Sequence, residues 1–242
     1  MKLKRAEKPF VFSTQLSLRE LTGLRARTLD ELVEHLRTVP GSCIYYHTHH
    51  FLQRHQYLSP EPPNDFAYWV AEALGEDRIS EQLSAIDTLH YTSIRALREK
   101  FIETLERARE KRPESFKKFA PEDELFYFMK SVSVVFPASY SASTLAEFLE
   151  ALGKVSISSL YFHVFAARLR LDKPTNDFSL WLENEMGEKE LAAEVSRLDP
   201  YTHTMEGLRT RIMSLVRKRV VSSDNAGGPA KAAKGGKSDA GA

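Results

Sequence analysis

The sequence predicts a mainly α-helical protein made of two pseudo-symmetric modules, with short β segments at the start of each module as an option. Three observations carry this. First, residues 10–54 align without a gap onto residues 126–170, a constant offset of 116 (144 − 28 for the matched threonines Thr28 and Thr144). Self-similarity at a fixed spacing is the mark of a duplicated unit. Second, apolar residues recur at helical spacing between recognisable caps in both copies. Third, the same six-residue stretches return: Asn64-Asp65-Phe66-Ala67-Tyr68-Trp69 as Asn176-Asp177-Phe178-Ser179-Leu180-Trp181.

In the first copy, Thr28 with Glu31 forms a capping box ahead of Leu29, Leu32, Val33 and Leu36. Pro40-Gly41 stops that helix. Ser42 is placed to start the next, which runs to about His55 and carries Ile44, Tyr45, His47, Thr48, Phe51 and Leu52. The prolines of Ser59-Pro60-Glu61-Pro62-Pro63 resist helix continuation and predict a loop. Asn64 is a good N-cap, and Asp65 suits the positive end of the helix dipole. Phe66, Trp69, Val70, Ala73 and Leu74 follow at helical spacing, with Gly75 as a left-handed C-cap. Ile79, Leu83 and Ile86 mark a fourth helix. Ile94, Leu97, Phe101 and Leu105 mark a fifth.

The second copy repeats each step. Thr144 and Glu147 form the box; Leu145, Phe148, Leu149 and Leu152 form the stripe. Ser158 is placed to open the helix of Leu160, Tyr161, His163 and Val164. Asn176 and Gly187 bracket the Phe178–Trp181 helix; Leu191, Val195 and Leu198, then Met205, Leu208, Ile212 and Val216, mark the last two. In the opening of each copy, Phe10, Phe12, Leu16 and Leu18 recur as Phe126, Phe128, Val132 and Val134, and Ser131-Val132-Ser133-Val134 alternates strictly. That pattern predicts a short extended segment per copy, with pairing across the two copies as one arrangement. The organisation read from the chain is a segment 1–9, a module 10–110, a connector 111–125, a second module 126–220 and a disordered polar tail 221–242.

Composition narrows the classes. Lys+Arg 34 against Asp+Glu 33 leaves a formal charge of +1, so no nucleic-acid footprint is expected. No apolar run approaches the ~18 residues of a membrane span. The charged start is followed by no apolar stretch, so no signal peptide is expected. One cysteine, Cys43, suits a reducing compartment, and the cytoplasm is the expected location. The G-x-S-x-G elbow, HExxH, Cys-x-x-Cys and Glu-x-x-His patterns are all missing from the sequence.

The Pro9-Phe10 start, the Tyr45-Tyr46-His47 stretch, the Asn64–Trp69 stretch and their second-copy counterparts resemble domain of unknown function family 5752, over about Pro9 to Arg219. The resemblance implies one duplicated, uncharacterised protein and brings no catalytic residues or cofactor with it.

Three functional readings stand beside one another. In the first, His47, Asn64, Asp65, Phe66 and Trp69, with His163, Asn176, Asp177, Phe178 and Trp181, are anchors of the repeated fold. The protein is then a non-catalytic binding or scaffold protein whose partner is another protein or a small molecule. In the second, the protein is a metal-binding protein or metalloenzyme in which His47 with His50 or His163 holds a metal, since histidines three apart share a helix face; a pseudo-twofold axis can bring His47 and His163 together with Asp65 and Asp177. In the third, the protein is a small-molecule sensor whose pocket, peculiar to the first copy, is lined by Tyr46, His49, His50, His55 and Tyr57. Only His47 of the histidine cluster recurs, which favours the first reading.

Overall fold

The computed structural model describes residues 4–54, 64–88, 90–171, 175–198 and 204–225. It is mainly helical with one two-stranded antiparallel sheet. The first copy comprises strand β1 (Phe10–Ala26) and helices α1 (Leu29–Thr38), α2 (Gly41–Arg54), α3 (Asp65–Glu72), α4 (Asp77–Ser84) and α5 (Ile94–Lys111). Two single 3₁₀ turns, Ser115–Lys117 and Glu122–Glu124, lead to β2 (Phe126–Ala142). The second copy continues with α6 (Leu145–Lys154), α7 (Ile157–Tyr161), a π turn (Phe162–Ala166), α8 (Ala167–Leu171), α9 (Asp177–Asn184), α10 (Lys189–Ser196) and α11 (Met205–Asn225).

The caps form where the sequence puts them. Thr28 and Thr144 accept from the amides of Glu31 and Glu147, and the two glutamates return bonds to the amides of Arg27 and Ser143. Asn64 and Asn176 accept from Ala67 and Ser179. Gly75 and Gly187 hold positive φ, 62° and 68°, which side chains resist and glycine does not. Two caps differ from expectation: α2 already begins at Gly41, so Ser42 lies within it, and Ser156, not Ser158, caps α7 by accepting from the Ser159 amide. Helix α11 also runs to Asn225, so residues 221–225 continue a helix where a tail was expected; Val220 packs on the core beside it.

The extended segments depart most from expectation. They are not short: each strand has 17 residues. The pairing centres on Ser17 and Ser133, which occupy the same position in the two copies and whose hydroxyls lie 3.2 Å apart. A pseudo-twofold axis therefore passes through the middle of the ribbon. The equivalent tyrosines Tyr45 and Tyr161 meet on the same principle, hydroxyl to hydroxyl at 3.3 Å.

Each end of the ribbon is embedded in one module, and the modules exchange their strand starts. Phe10 and Phe12 belong to the core of Phe148, Phe178 and Trp181, in the second module. Phe126 and Phe128 belong to the core of Phe66, Trp69 and Phe101, in the first. The strand ends return home: Ala26 is buried in the first core and Ala142 in the second. Residues 112–125, between α5 and β2, separate the copies along the chain, and Phe116, Ala120 and Leu125 among them pack into the first core.

Candidate functional site

At each crossing of a strand into the opposite module the sheet register shifts, between Val11 and Ser13 on β1 and between Leu21 and Arg25 opposite Phe128 on β2. Such bulges leave backbone groups outside the ladder, and a buried amide without an acceptor costs roughly 1–3 kcal/mol. Two histidines supply the acceptor. The Ser13 amide donates to His163 Nε2 at 2.7 Å, and the Met129 amide donates to His47 Nε2 at 3.0 Å. Because Nε2 accepts, the proton of each neutral ring sits on Nδ1. Nδ1–H then donates to Asp177 Oδ2 at 2.7 Å and to Asp65 Oδ2 at 2.9 Å. Asp65 and Asp177 are the first residues of α3 and α9, where the helix dipole favours a carboxylate. The chain of contacts is the same in both halves: helix start, carboxylate, imidazole, amide of the other copy's strand.

The tryptophans do the same work a few residues earlier. Trp181 Nε1–H donates to the Lys8 carbonyl at 3.0 Å, and Trp69 Nε1–H donates to the Glu124 carbonyl at 2.7 Å. Lys8 and Glu124 are again 116 apart (124 − 8). Phe10 and Phe126 fill the space between, with ring centroids 4.9 and 4.7 Å from His163 and His47. Each module therefore grips the other's arm by a tryptophan, a histidine and a pair of phenylalanines.

His47 and His163 consequently lie in separate cores and do not meet on the pseudo-twofold axis. Both nitrogens of each ring are engaged, which leaves no lone pair for a cation. Among the described residues no group of three or more His, Cys, Asp or Glu is placed to hold a metal ion. The side chain of His50, and His55 and Tyr57 entirely, lie outside the described residues.

Tyr46 and His49, the described members of the predicted pocket, are buried. His49 stacks on Tyr45 with ring centroids 5.1 Å apart. The Thr48 hydroxyl donates to the Ile44 carbonyl at 2.6 Å, so it accepts from His49 Nδ1–H at 2.8 Å. Burial pushes the His49 pKa down to about 4. Above about pH 6.5 the ring is neutral in both the folded and the unfolded chain and pH has no effect through it. As pH falls from there to about 4, the unfolded chain takes up a proton that the fold refuses, and stability drops by about 3 kcal/mol in total. Equilibrium unfolding between pH 7 and 4 checks this: His49→Phe should flatten that branch, and an unchanged acid branch would count against it. Burial also pushes up the Cys43 thiol, the opposite of what a nucleophile needs.

Two open grooves occupy equivalent places in the modules. One, of ≈ 430 Å³, lies between α4 and α5 with Gln82, His90, Tyr91, Lys100 and Arg107 on its walls. The other, of ≈ 270 Å³, lies between α10 and α11 beside Glu194, Arg211 and Lys218. Neither includes a described member of the predicted pocket.

The feature that sequence reasoning missed is the outer face of the ribbon. Side chains alternate between its faces. The inner face carries Gln15 and Ser131, both buried, and Val135, which stands opposite Gln15 and is half-exposed. The outer face carries Leu16, Leu18, Val132 and Val134, which are 52, 52, 41 and 51% exposed. They form two cross-strand pairs, Leu16 with Val134 and Leu18 with Val132. The usual rule, apolar inward, does not hold in the middle of the ribbon. The available signal was Ser131-Val132-Ser133-Val134, which shows the alternation without showing which set faces water.

The family described as "Family of unknown function (DUF5752)" matches residues 7–217 of the chain. Among solved structures, OrfY from Thermoproteus tenax is similar, with a TM-score of 0.76 and 31% identity over 88% of this chain and 96% of that one. No curated protein matches. No helix among the described residues is long and apolar enough to cross a membrane.

Proposed function

This chain belongs to the DUF5752 family of unknown function, and from that premise we propose that it is a non-catalytic binding or scaffold protein whose docking surface is the outer face of the ribbon. One observation carries the reading. The polar groups that recur in both copies are engaged inside the fold, while four recurring apolar residues, Leu16, Leu18, Val132 and Val134, stand in water. Neither core uses their outward surface, yet both copies keep it apolar. Contiguous exposed apolar patches mark interaction sites more often than isolated exposed residues do. A ribbon face open to solvent suits a protein partner; a small molecule is better enclosed by a concave pocket.

Site-directed photo-crosslinking in cells expressing the protein tests the reading. A benzophenone side chain at position 18 should give defined protein adducts, and the same group at the exposed Glu99 position on α5 should give none. Equal yields at the two positions would contradict the proposal.

A further inference from the structure

We propose that the outer face of the ribbon binds a second copy of this chain, face to face, about a twofold axis running along the strands. The inference rests on the docking surface proposed above and names its occupant. Its first support is symmetry. Leu16 and Leu18 are the equivalents of Val132 and Val134 (132 − 16 and 134 − 18 both give 116). The patch is therefore centred on the pseudo-twofold axis and apolar on both strands, so a twofold axis lying in its plane sets apolar side chains against apolar ones, as an isologous interface requires.

Charge supplies the second support and fixes the direction of the axis. Glu20 and Lys130 are the cross-strand pair that borders the patch at one end, on the same outer face, with Lys130 Nζ 2.8 Å from Glu20 Oε1. A twofold axis along the strands superposes β1 on β2 of the other copy. Glu20 then lies over Lys130 of the partner subunit, and Lys130 over Glu20 of the partner subunit, making an alternating square of four charges. Leu16 lies over Val134 of the partner subunit and Leu18 over Val132 of the partner subunit. At the other end, Thr14 and the half-exposed Phe136 meet their counterparts. An axis across the strands would instead set the charged pair against Phe136 and Thr14 and leave it desolvated without a new partner, which is costly.

Size is the third consideration. Five half-exposed apolar side chains with their polar border amount to a few hundred Å² per copy, near the lower bound of about 1,000 Å² total for a specific interface. The dimer is accordingly a reversible one, with a dissociation constant in the micromolar range. The sequence of residues 226–242, rich in Gly, Ala and Lys, lacks large apolar side chains that would cover the patch.

Sedimentation velocity over a concentration series of the full chain tests this. The mass should rise from 27.6 kDa toward twice that value as concentration passes through the micromolar range. Leu18→Lys should remain a monomer throughout, with circular dichroism and thermal midpoint unchanged, because its outward side chain touches neither core. Glu20→Lys and Lys130→Glu report the geometry independently. Each variant alone brings like charges together and should dimerise at least tenfold more weakly; mixed, they bring opposite charges together and should form a heterodimer. A wild-type chain that stays monomeric at every concentration overturns the inference. So does a mixture of the two charge variants that associates no better than either alone. If the wild-type chain is monomeric while position 18 still crosslinks to a different protein, the second copy is wrong and the docking surface stands. If position 18 crosslinks to nothing, both fall.

Discussion

Phe12→Ala should lower the stability of the folded chain by about 3–5 kcal/mol, and the loss should originate in the second module although the residue belongs to the first copy. Phe12 is fully buried and stacks on Phe148 with centroids 5.6 Å apart, beside Phe178 and His163. Removing the ring deletes an aromatic from a core built by residues more than a hundred positions away. For a chain of this size the change corresponds to roughly 6–20 °C in Tm, at about 2–4 °C per kcal/mol. The probe that locates it is the fluorescence of Trp181, isolated by Trp69→Phe. Trp181 packs against Phe148 at 5.3 Å in the damaged core. Phe128→Ala should show the mirror image, reported by Trp69, because Phe128 belongs to the first module's core. If Phe12→Ala perturbed the surroundings of Trp69 and left those of Trp181 intact, the strands would not be exchanged.

Trp181→Ala should be comparably severe, again about 3–5 kcal/mol, and Trp181→Phe separates its two contributions. The ring is 7% exposed and packs on Phe10 and Phe148. Its Nε1–H holds the Lys8 carbonyl just before β1 begins. Phenylalanine keeps most of the packing and loses the hydrogen bond, which is worth about 0.5–1.5 kcal/mol net. Unfolding free energies of the two variants from denaturant titration should therefore differ by several kcal/mol, and amide exchange near Lys8 should quicken in both. If Trp181→Ala melts with the parent protein, the indole is not the anchor described here.

Much of the helical fold was legible in the sequence, for local reasons. Caps such as Thr28 and Asn64 act through bonds to residues three positions on, and stripes such as Leu29, Leu32, Val33 and Leu36 declare their buried face by spacing alone. The duplication also singled out His47 and His163, Trp69 and Trp181, each of which bonds the backbone of a strand arm from the other copy. What they anchor was not legible. The Ser13 amide and His163 are 150 residues apart, and nothing in local propensity says that a strand start leaves its own module. Strand length was underestimated for a related reason. The middle of the ribbon turns its apolar side to water, and its two bulges break the period-two pattern near Phe12 and Phe128. The Tyr46 and His49 segment looked like pocket material because polar aromatics are read as exposed. Here the pseudo-twofold contact of Tyr45 with Tyr161 buries it, and Tyr161 closes it with a 3.1 Å bond to the His49 carbonyl.

The exchange of strand arms is most directly tested by NMR on protein labelled with ¹⁵N. A hydrogen bond from an amide to an imidazole nitrogen transmits a scalar coupling between the two nitrogens. The structure predicts such couplings for two pairs, Ser13 with His163 Nε2 and Met129 with His47 Nε2. Coupling of Ser13 to His47, or a Ser13 amide that exchanges freely with solvent, would contradict it.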